Sequence, residues 1–304
     1  MTSPRSTAAR RWRGLLLGAA CCAAPAIAVA GSALDLFYER SVMVAADDRC
    51  HLFDSGVAAA LDAARVQARG AALRAGTTEE ALLGVADRAR AKAGAADCRS
   101  LDVATAASRV TTAFKGYSRI ARLTYPGDTA TWEANRNVSV DGPVWRLSQP
   151  SKFGWDSMVF GLAGKTGQGV LLASASFADG ASPYAIRLVM RDVSRTSGPY
   201  LDRRLASPDG RIPLAGRLPP SATRAFSAEA RSPASARLAP GGAKSAILVR
   251  FPTQAVEALA ALDTREAVAV EFVFSGRDRD AVRRAYVEVG DFAAGRAFLK
   301  VDAR

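Results

Sequence analysis

A pair of cysteines, Cys50 and Cys98, constrains the fold of this chain more than any other feature of its sequence. Each stands just ahead of a segment with helical periodicity, and they enclose about 48 residues. The pair is not a C-x-x-C motif and has a single histidine, His51, beside it, which disfavours a metal or redox role. A disulfide here would tie the start of a second helix to the start of a fourth. It would stabilise the fold by roughly 3–4 kcal/mol on a loop-entropy estimate.

The first 30 residues predict that the protein is exported. Four arginines precede an apolar run, residues 15–30, which ends in an Ala-x-Ala cleavage pattern at Ala30. At about 16 residues the run is shorter than the ~20 of a transmembrane helix, so we expect cleavage, with an uncleaved anchor as the alternative. Cleavage would remove Cys21 and Cys22 and leave the remaining pair in the periplasm or outside the cell, where it would be bonded. A lipid on Cys21 would instead anchor the protein.

The exported chain is predicted to be basic and to lack a transmembrane segment. The whole sequence has a formal net charge of +12, and removal of four arginines and no acids leaves +12 − 4 = +8. Such a charge favours anionic partners. Outside the cytoplasm these are envelope polymers or lipid head groups rather than nucleic acid, and an envelope protein is a further candidate. A composition that favours arginine and confers only solubility is the alternative.

Residues 31–125 predict a helical domain. Apolar residues recur at helical spacing, and Thr77 with Glu80 has the pattern of a capping box that opens the third helix. The predicted helices cover about 34–45, 55–75, 78–94 and 100–120. Their short connections imply antiparallel neighbours. A turn pattern from Thr124 to Asp128 marks the end of the domain.

Residues 126–304 predict a β-rich domain. Short strand-like runs are separated by Gly, Pro and Asp, which is typical of an antiparallel sandwich. The runs are 131–133, 144–148, 157–162, 170–177, 185–193, 246–251, 267–274 and 285–289. Short helices follow Pro252 and Asp291. The expected fold class is therefore α+β: a disulfide-stapled four-helix module followed by an antiparallel β-sandwich-like domain with two short helices near the C-terminus.

One segment of this domain, residues 206–244, is predicted to be a long, basic, proline-rich loop. Its prolines disfavour regular structure, and its cations outnumber its acids. The candidate contacts for an anionic ligand are Arg211, Arg217, Arg224, Arg231, Arg237 and Lys244. A flexible insertion without a ligand is the alternative.

Three tryptophans, Trp132, Trp145 and Trp155, lie close together in the sequence. They would form an aromatic platform for a sugar or a peptide if they shared one surface. Large aromatic side chains also fill protein cores, and that alternative stays open.

No catalytic, cofactor or metal site is predicted. Triad or general-base chemistry would have to use His51 alone, and a single histidine cannot form a histidine metal cluster. Gly164–Thr166 lacks the first glycine of a phosphate-binding loop because Val159 stands there. The first hypothesis is therefore a non-enzymatic interaction protein of the envelope. An envelope glycan hydrolase with two carboxylates, from Glu133, Asp141 and Asp156, is the second. A structural partner in an envelope assembly is the third.

The closing part of the chain has the order strand, short helix, strand, charged turn, strand, short helix, and ends in the segment from Tyr286 to Phe298. This order resembles the invasion-associated locus B family, exported β-sandwich proteins, over residues 170–300. The chain departs from that family in lacking cysteines in the β domain and in adding the helical domain. The resemblance implies an envelope accessory protein without catalysis, and no catalytic residue carries over.

Overall fold

The computed structural model describes residues 32–301, so the predicted signal segment and Cys21 lie outside the described residues. Four α-helices come first: α1 (Ala33–Cys50), α2 (Ser55–Arg74), α3 (Glu79–Ala95) and α4 (Leu101–Tyr117). They confirm the predicted helical part of the fold class. Within the described part of the chain, no helix combines the length and the apolar character that crossing a membrane would need.

Each of these four helices begins at a side-chain cap. The Ser32 hydroxyl accepts the Asp35 N–H, and the Asp35 carboxylate accepts the Ser32 N–H, which completes a capping box. The caps of the next three helices are Asp54, Thr78 and Ser100. The capping box predicted at Thr77 is wrong by one residue, because the hydroxyl of Thr78 accepts the Ala81 N–H.

The disulfide between Cys50 and Cys98 is formed, as predicted. Its Cα atoms lie 5.6 Å apart, within the normal span of a disulfide. Because Cys50 is the last residue of α1, the bond ties the end of α1, rather than the start of α2, to the segment ahead of α4. Arg49 strengthens the same junction by donating to carbonyl oxygens at the end of α3. Phe37, Leu73, Leu82 and Val85 form the small core between these helices.

The strands form two antiparallel sheets. Their bounds are β1 (Arg122–Pro126), β2 (Thr131–Asn135), β3 (Val144–Phe153), β4 (Asp156–Gly164), β5 (Val170–Ser176), β6 (Ala185–Arg191), β7 (Thr223–Ser227), β8 (Ala230–Pro233), β9 (Ile247–Arg250), β10 (Ala267–Phe274) and β11 (Ala281–Glu288). Among the described residues, one sheet has seven strands in the order β1-β2-β3-β4-β5-β9-β8. The other has four, in the order β11-β10-β6-β7.

The core lies between the two sheets and under the C-terminal helices. Apolar side chains from both sheets meet there, among them Leu147, Phe160, Leu188, Val270 and Val287. Two short helices, α5 (Thr253–Ala260) and α6 (Phe292–Lys300), follow near the C-terminus as predicted. Phe292 of α6 packs on Trp132 with ring centroids 5.2 Å apart. The α+β fold class is thus confirmed.

The helical part packs on the β part through α2 and α6. Arg74, at the end of α2, donates two parallel hydrogen bonds of 2.6 and 2.8 Å to the carboxylate of Asp291, which precedes α6. A Cβ at Gly70 would stand 2.5 Å from an Asp291 oxygen, so only glycine allows α2 to approach this closely. Burial raises the pKa of Asp291 against the opposing effect of Arg74.

The structure differs from the predictions in two segments. Strand β1 begins at Arg122, inside residues 31–125, which the sequence predicts to be a helical domain. The segment is a strand because Tyr125 is buried in the sandwich core and pairs with Trp132 of β2. Residues 206–244 are not one continuous loop: they contain β7, β8 and a short 3-10 helix, Leu214–Arg217. The prolines do not prevent this because they lie in the connecting segments or at the ends of elements. Pro233, for example, is the last residue of an edge strand, where its missing N–H costs little.

Candidate functional site

The three tryptophans are not brought together. Trp132 is fully buried and its indole N–H donates to the carbonyls of Glu288 and Val289. Trp145 is half-buried, and its N–H donates to the Leu238 carbonyl. Trp155 is 95% exposed. The part of β3 from Trp145 to Phe153 spans roughly 26 Å at ~3.3 Å per residue, and Trp155 lies in the turn beyond it. The predicted aromatic platform therefore reduces to Trp155 alone.

The six cations predicted for an anionic ligand also lie apart, and most are engaged within the fold. Arg224 stacks on Phe226, with its guanidinium carbon 4.7 Å from the ring centroid. Arg231 donates to the Pro183 carbonyl, and Arg237 pairs with Asp141. Lys244 is exposed. These four do not form a single basic surface.

Arg211 and Arg217 do share a cleft, of about 400 Å³, with Arg74 and Arg265. Each guanidinium in it already has a carboxylate partner. The pairs are Arg74–Asp291, Arg211–Asp209, Arg217–Asp128 with Glu288, and Arg265–Asp263. Every arginine of the cleft is therefore paired rather than free, and one of the pairs, Arg74–Asp291, joins the helical part to the β part.

Trp155 stands at the rim of a larger groove of about 990 Å³. A two-residue turn joins β3 to β4, with Phe153 opposite Asp156, and Gly154 takes the φ of +62° that this turn needs. The short turn holds the indole at the tip of a hairpin. The groove runs between this hairpin and the edge strand β11, with the segment 213–215 on the far side. We call it the Trp155 groove; its principal lining residues are Lys152, Trp155, Asp179, Leu214, Arg284 and Tyr286.

One wall of the Trp155 groove is rigid because Arg283 is fixed from several sides. Its guanidinium donates to Asp156 at 3.0 Å and to Asp179 at 2.5 and 3.2 Å. It also lies over the ring of Phe274, 4.5 Å from the centroid. Phe153 at the groove stacks on Phe272 in the core beneath. This wall of the groove is therefore held by contacts within the fold.

The carboxylates in the groove are not arranged for glycoside hydrolysis. Asp156 and Asp179 both line the groove but are bridged by one arginine, Arg283, and Asp141 pairs with Arg237 elsewhere. Glu133 lies on β2, also outside the groove lining. A general acid needs a raised pKa. The hydrogen bond from Arg283 instead lowers the pKa of Asp179 to about 2. For Asp179 the shift is therefore opposite to the one that a general acid needs.

The Arg283–Asp179 pair predicts an acid-resistant groove. Asp179 has an ordinary pKa of 3.8 and a lowered one of about 2 in the fold, so its contribution is fully present above pH 3.8 and is lost as the pH falls through about 2. We expect the pKa of Asp179, followed by NMR of its carboxyl carbon, to be about 2 in the wild type and to rise towards 3.8 in Arg283→Ala, where the Ala181 N–H still donates to the carboxylate. Lys152→Ala should leave the midpoint unchanged. A wild-type midpoint at 3.8 would contradict the pairing.

Comparison with known proteins adds no further constraint: no family model matches the chain, and no curated protein or solved structure matches it. Within residues 32–301, no three side chains of His, Cys, Asp or Glu come together as metal ligands. The functional interpretation therefore depends on the residues of the Trp155 groove.

Proposed function

We propose that the protein is an exported interaction protein of the cell envelope, which holds a partner in the Trp155 groove without transforming it. One observation carries the proposal: an indole that is 95% exposed, fixed at a hairpin tip above a groove of about 990 Å³. An exposed indole leaves a large apolar surface in water, and tryptophan is enriched at the centres of interfaces, where a partner covers it.

The charges around the indole support a partner with some negative charge. Among the described residues Arg283 pairs with Asp156 and Asp179, and Arg284 pairs with Glu271. Lys152 is exposed and has no ion-pair partner in the part of the chain that the structure describes. The groove lining carries three cations, Lys152, Arg283 and Arg284, and two carboxylates, so its formal charge is 3 − 2 = +1 beside one uncovered aromatic ring. An apolar partner with an acidic group complements both.

Export is part of this proposal. The disulfide supports it because such bonds persist in oxidising compartments. The resemblance of residues 170–300 to the invasion-associated locus B family stays a prediction, as do the signal segment and the periplasmic or extracellular location. No catalytic step is proposed, since the groove carboxylates are held by Arg283.

Replacing Trp155 by alanine is expected to weaken binding at least about tenfold while the free energy of unfolding changes by less than ~0.5 kcal/mol. The indole makes its contacts with a partner, not with the core. The measurement is co-sedimentation of the purified protein with isolated cell-wall sacculi and with outer-membrane vesicles, at low and high salt. A contribution from Lys152 makes binding weaker at high salt.

The matched control is Tyr184→Ala, which removes another exposed aromatic side chain, one that lies outside the Trp155 groove. Binding by the Tyr184 variant should equal that of the wild type. If Trp155→Ala and the wild type sediment equally with both preparations, the Trp155 groove is not the interaction site.

A further inference from the structure

Strand β11 is an edge strand of unusual exposure in this fold. It closes one side of the four-stranded sheet and, within residues 32–301, pairs with β10 alone. It is eight residues long and contains no proline. The other edge strands are shorter, and two of them, β1 and β8, end in proline. Natural proteins usually shorten, cover or interrupt such edges, since open backbone groups accept a further strand.

The hydrogen bonds at one end of β11 establish which backbone groups face outward. The Gln149 side chain donates to the Glu288 carbonyl at 3.2 Å and accepts the Glu288 N–H at 2.8 Å. The Ser151 hydroxyl donates to the Tyr286 carbonyl at 2.9 Å. In the opposite direction, the N–H of Val289 donates to Glu266, ahead of β10. The even-numbered residues of β11 therefore point their backbone groups away from the sheet.

From Tyr286 back towards the start of β11, this outer edge is open. By the same alternation, the N–H and C=O of Arg284 and of Val282, together with the Tyr286 N–H, face outward. Within residues 32–301, the side-chain hydrogen bonds to this edge come from Gln149 and Ser151 and reach Glu288 and the Tyr286 carbonyl, not these groups. Arg284 and Tyr286 line the Trp155 groove, opposite Lys152 and Trp155. The groove is thus a slot along an unpaired strand edge, closed at one end by Gln149 and open at the other.

We infer that the Trp155 groove takes an extended peptide segment of a partner protein, which adds to β11 as a fifth strand of the four-stranded sheet. This inference rests on the proposed function and specifies the class of partner that the Trp155 groove binds. The peptide backbone would pair with the N–H and C=O of Arg284. An apolar side chain would cover Trp155, and an acidic one would meet Lys152.

The spacing of the open groups favours a peptide over a glycan. Outward donors and acceptors recur along β11 at every second residue, about 6.6 Å apart. A β-strand backbone repeats its own donors and acceptors at that interval, in the plane of the sheet. A sugar chain has no such register. The uncompensated Lys152 selects for acidic rather than basic segments.

Replacing Arg284 by proline distinguishes the contribution of its backbone N–H to peptide binding from the contribution of its side chain. Because the Arg284 N–H faces outward, Arg284→Pro removes a group that β10 does not use, and an edge strand tolerates proline there. Arg284→Ala is the matched control. It loses the same ion pair with Glu271 but keeps the N–H. Both variants should unfold at similar denaturant concentrations, which shows that the sheet is intact.

The probe is a phage-displayed library of random linear peptides about ten residues long, selected on the purified wild-type protein. Enriched peptides should alternate apolar and acidic residues. A synthetic copy of one should bind Arg284→Ala within about threefold of the wild type, and Arg284→Pro at least about tenfold more weakly. N-methylation of the peptide should weaken binding at every second residue and nowhere else. This last result uses only the wild-type protein, so it does not depend on the folding of a variant.

Three results would overturn the inference: no enriched peptide, equal binding by the alanine and proline variants, or N-methylation effects without alternation. Self-association of the wild type that disappears in Arg284→Pro would identify a second copy as the occupant and also overturn it. If sacculi binding falls in Trp155→Ala but not in Arg284→Pro, the proposed function stands and the strand-addition inference fails. If neither variant changes any binding, both fail.

Discussion

Glu288→Ala is expected to lower the free energy of unfolding by about 3–5 kcal/mol. The Glu288 side chain is fully buried and accepts the backbone N–H groups of Asp128, Thr129 and Ala130 at 2.7–2.9 Å. It also accepts the Thr129 hydroxyl and faces Arg217 at 3.4 Å. Removing the carboxylate takes an acceptor away from three backbone N–H groups and from the buried Arg217 guanidinium.

This prediction is tested by urea unfolding of the variant beside Glu257→Ala. Glu257 also forms an ion pair, with Arg296, but its carboxylate is largely exposed. An exposed pair contributes about 0–1 kcal/mol. A loss of less than ~1 kcal/mol in Glu288→Ala would mean that the turn between β1 and β2 does not depend on this carboxylate.

Replacing both Cys50 and Cys98 by alanine is expected to cost roughly 3–4 kcal/mol of folding free energy. The disulfide joins residues 48 positions apart, and its removal restores the entropy of that loop to the unfolded chain. The helical part has only a small core of its own, so little else there offsets the loss. The measurement is the midpoint of chemical unfolding in the oxidised wild type and in the double variant.

Treating the wild type with a reductant should reproduce the effect of the double variant, and the reductant should leave the double variant unchanged. Binding through the Trp155 groove should persist at temperatures where both forms are folded, because neither cysteine lines it. Equal unfolding midpoints with and without the disulfide would contradict a stabilising role.

Local signals in the sequence were sufficient for the helices and the disulfide. Caps such as Ser100, the spacing of apolar residues and the even cysteine pair act over a few residues or through one chemical rule. The strand periodicity also gave β10 its correct bounds, Ala267–Phe274. The antiparallel α+β class follows from these signals alone.

Contacts between residues far apart in the chain could not be predicted from these local signals. Glu288 stabilises a turn 158–160 residues earlier in the chain, and no periodicity records that contact. The strands β7 and β8 escaped prediction because each is five residues or shorter and lies among prolines and arginines. They become strands through pairing with β6 and β9.

The sequence indicated some residues of the candidate site but not others. Trp155 was one of three candidates, and the Gly154–Trp155 turn between two strand-like runs was the signal that could have separated it from Trp132 and Trp145. Lys152 lies in the same hairpin and could have been found with it. Arg284 and Tyr286 could not, because their place beside the indole depends on how the two sheets meet.

Site-specific photo-crosslinking in cells that produce the protein tests the central claim most directly. A photoreactive amino acid at position 155 places the probe at the rim of the Trp155 groove, and one at position 184 replaces an exposed aromatic residue outside it. We predict a discrete crosslinked partner at position 155 that is absent at position 184 and is lost when Arg284→Pro is added. Equal crosslinking at both positions, or none at 155, would contradict an interaction site in this groove.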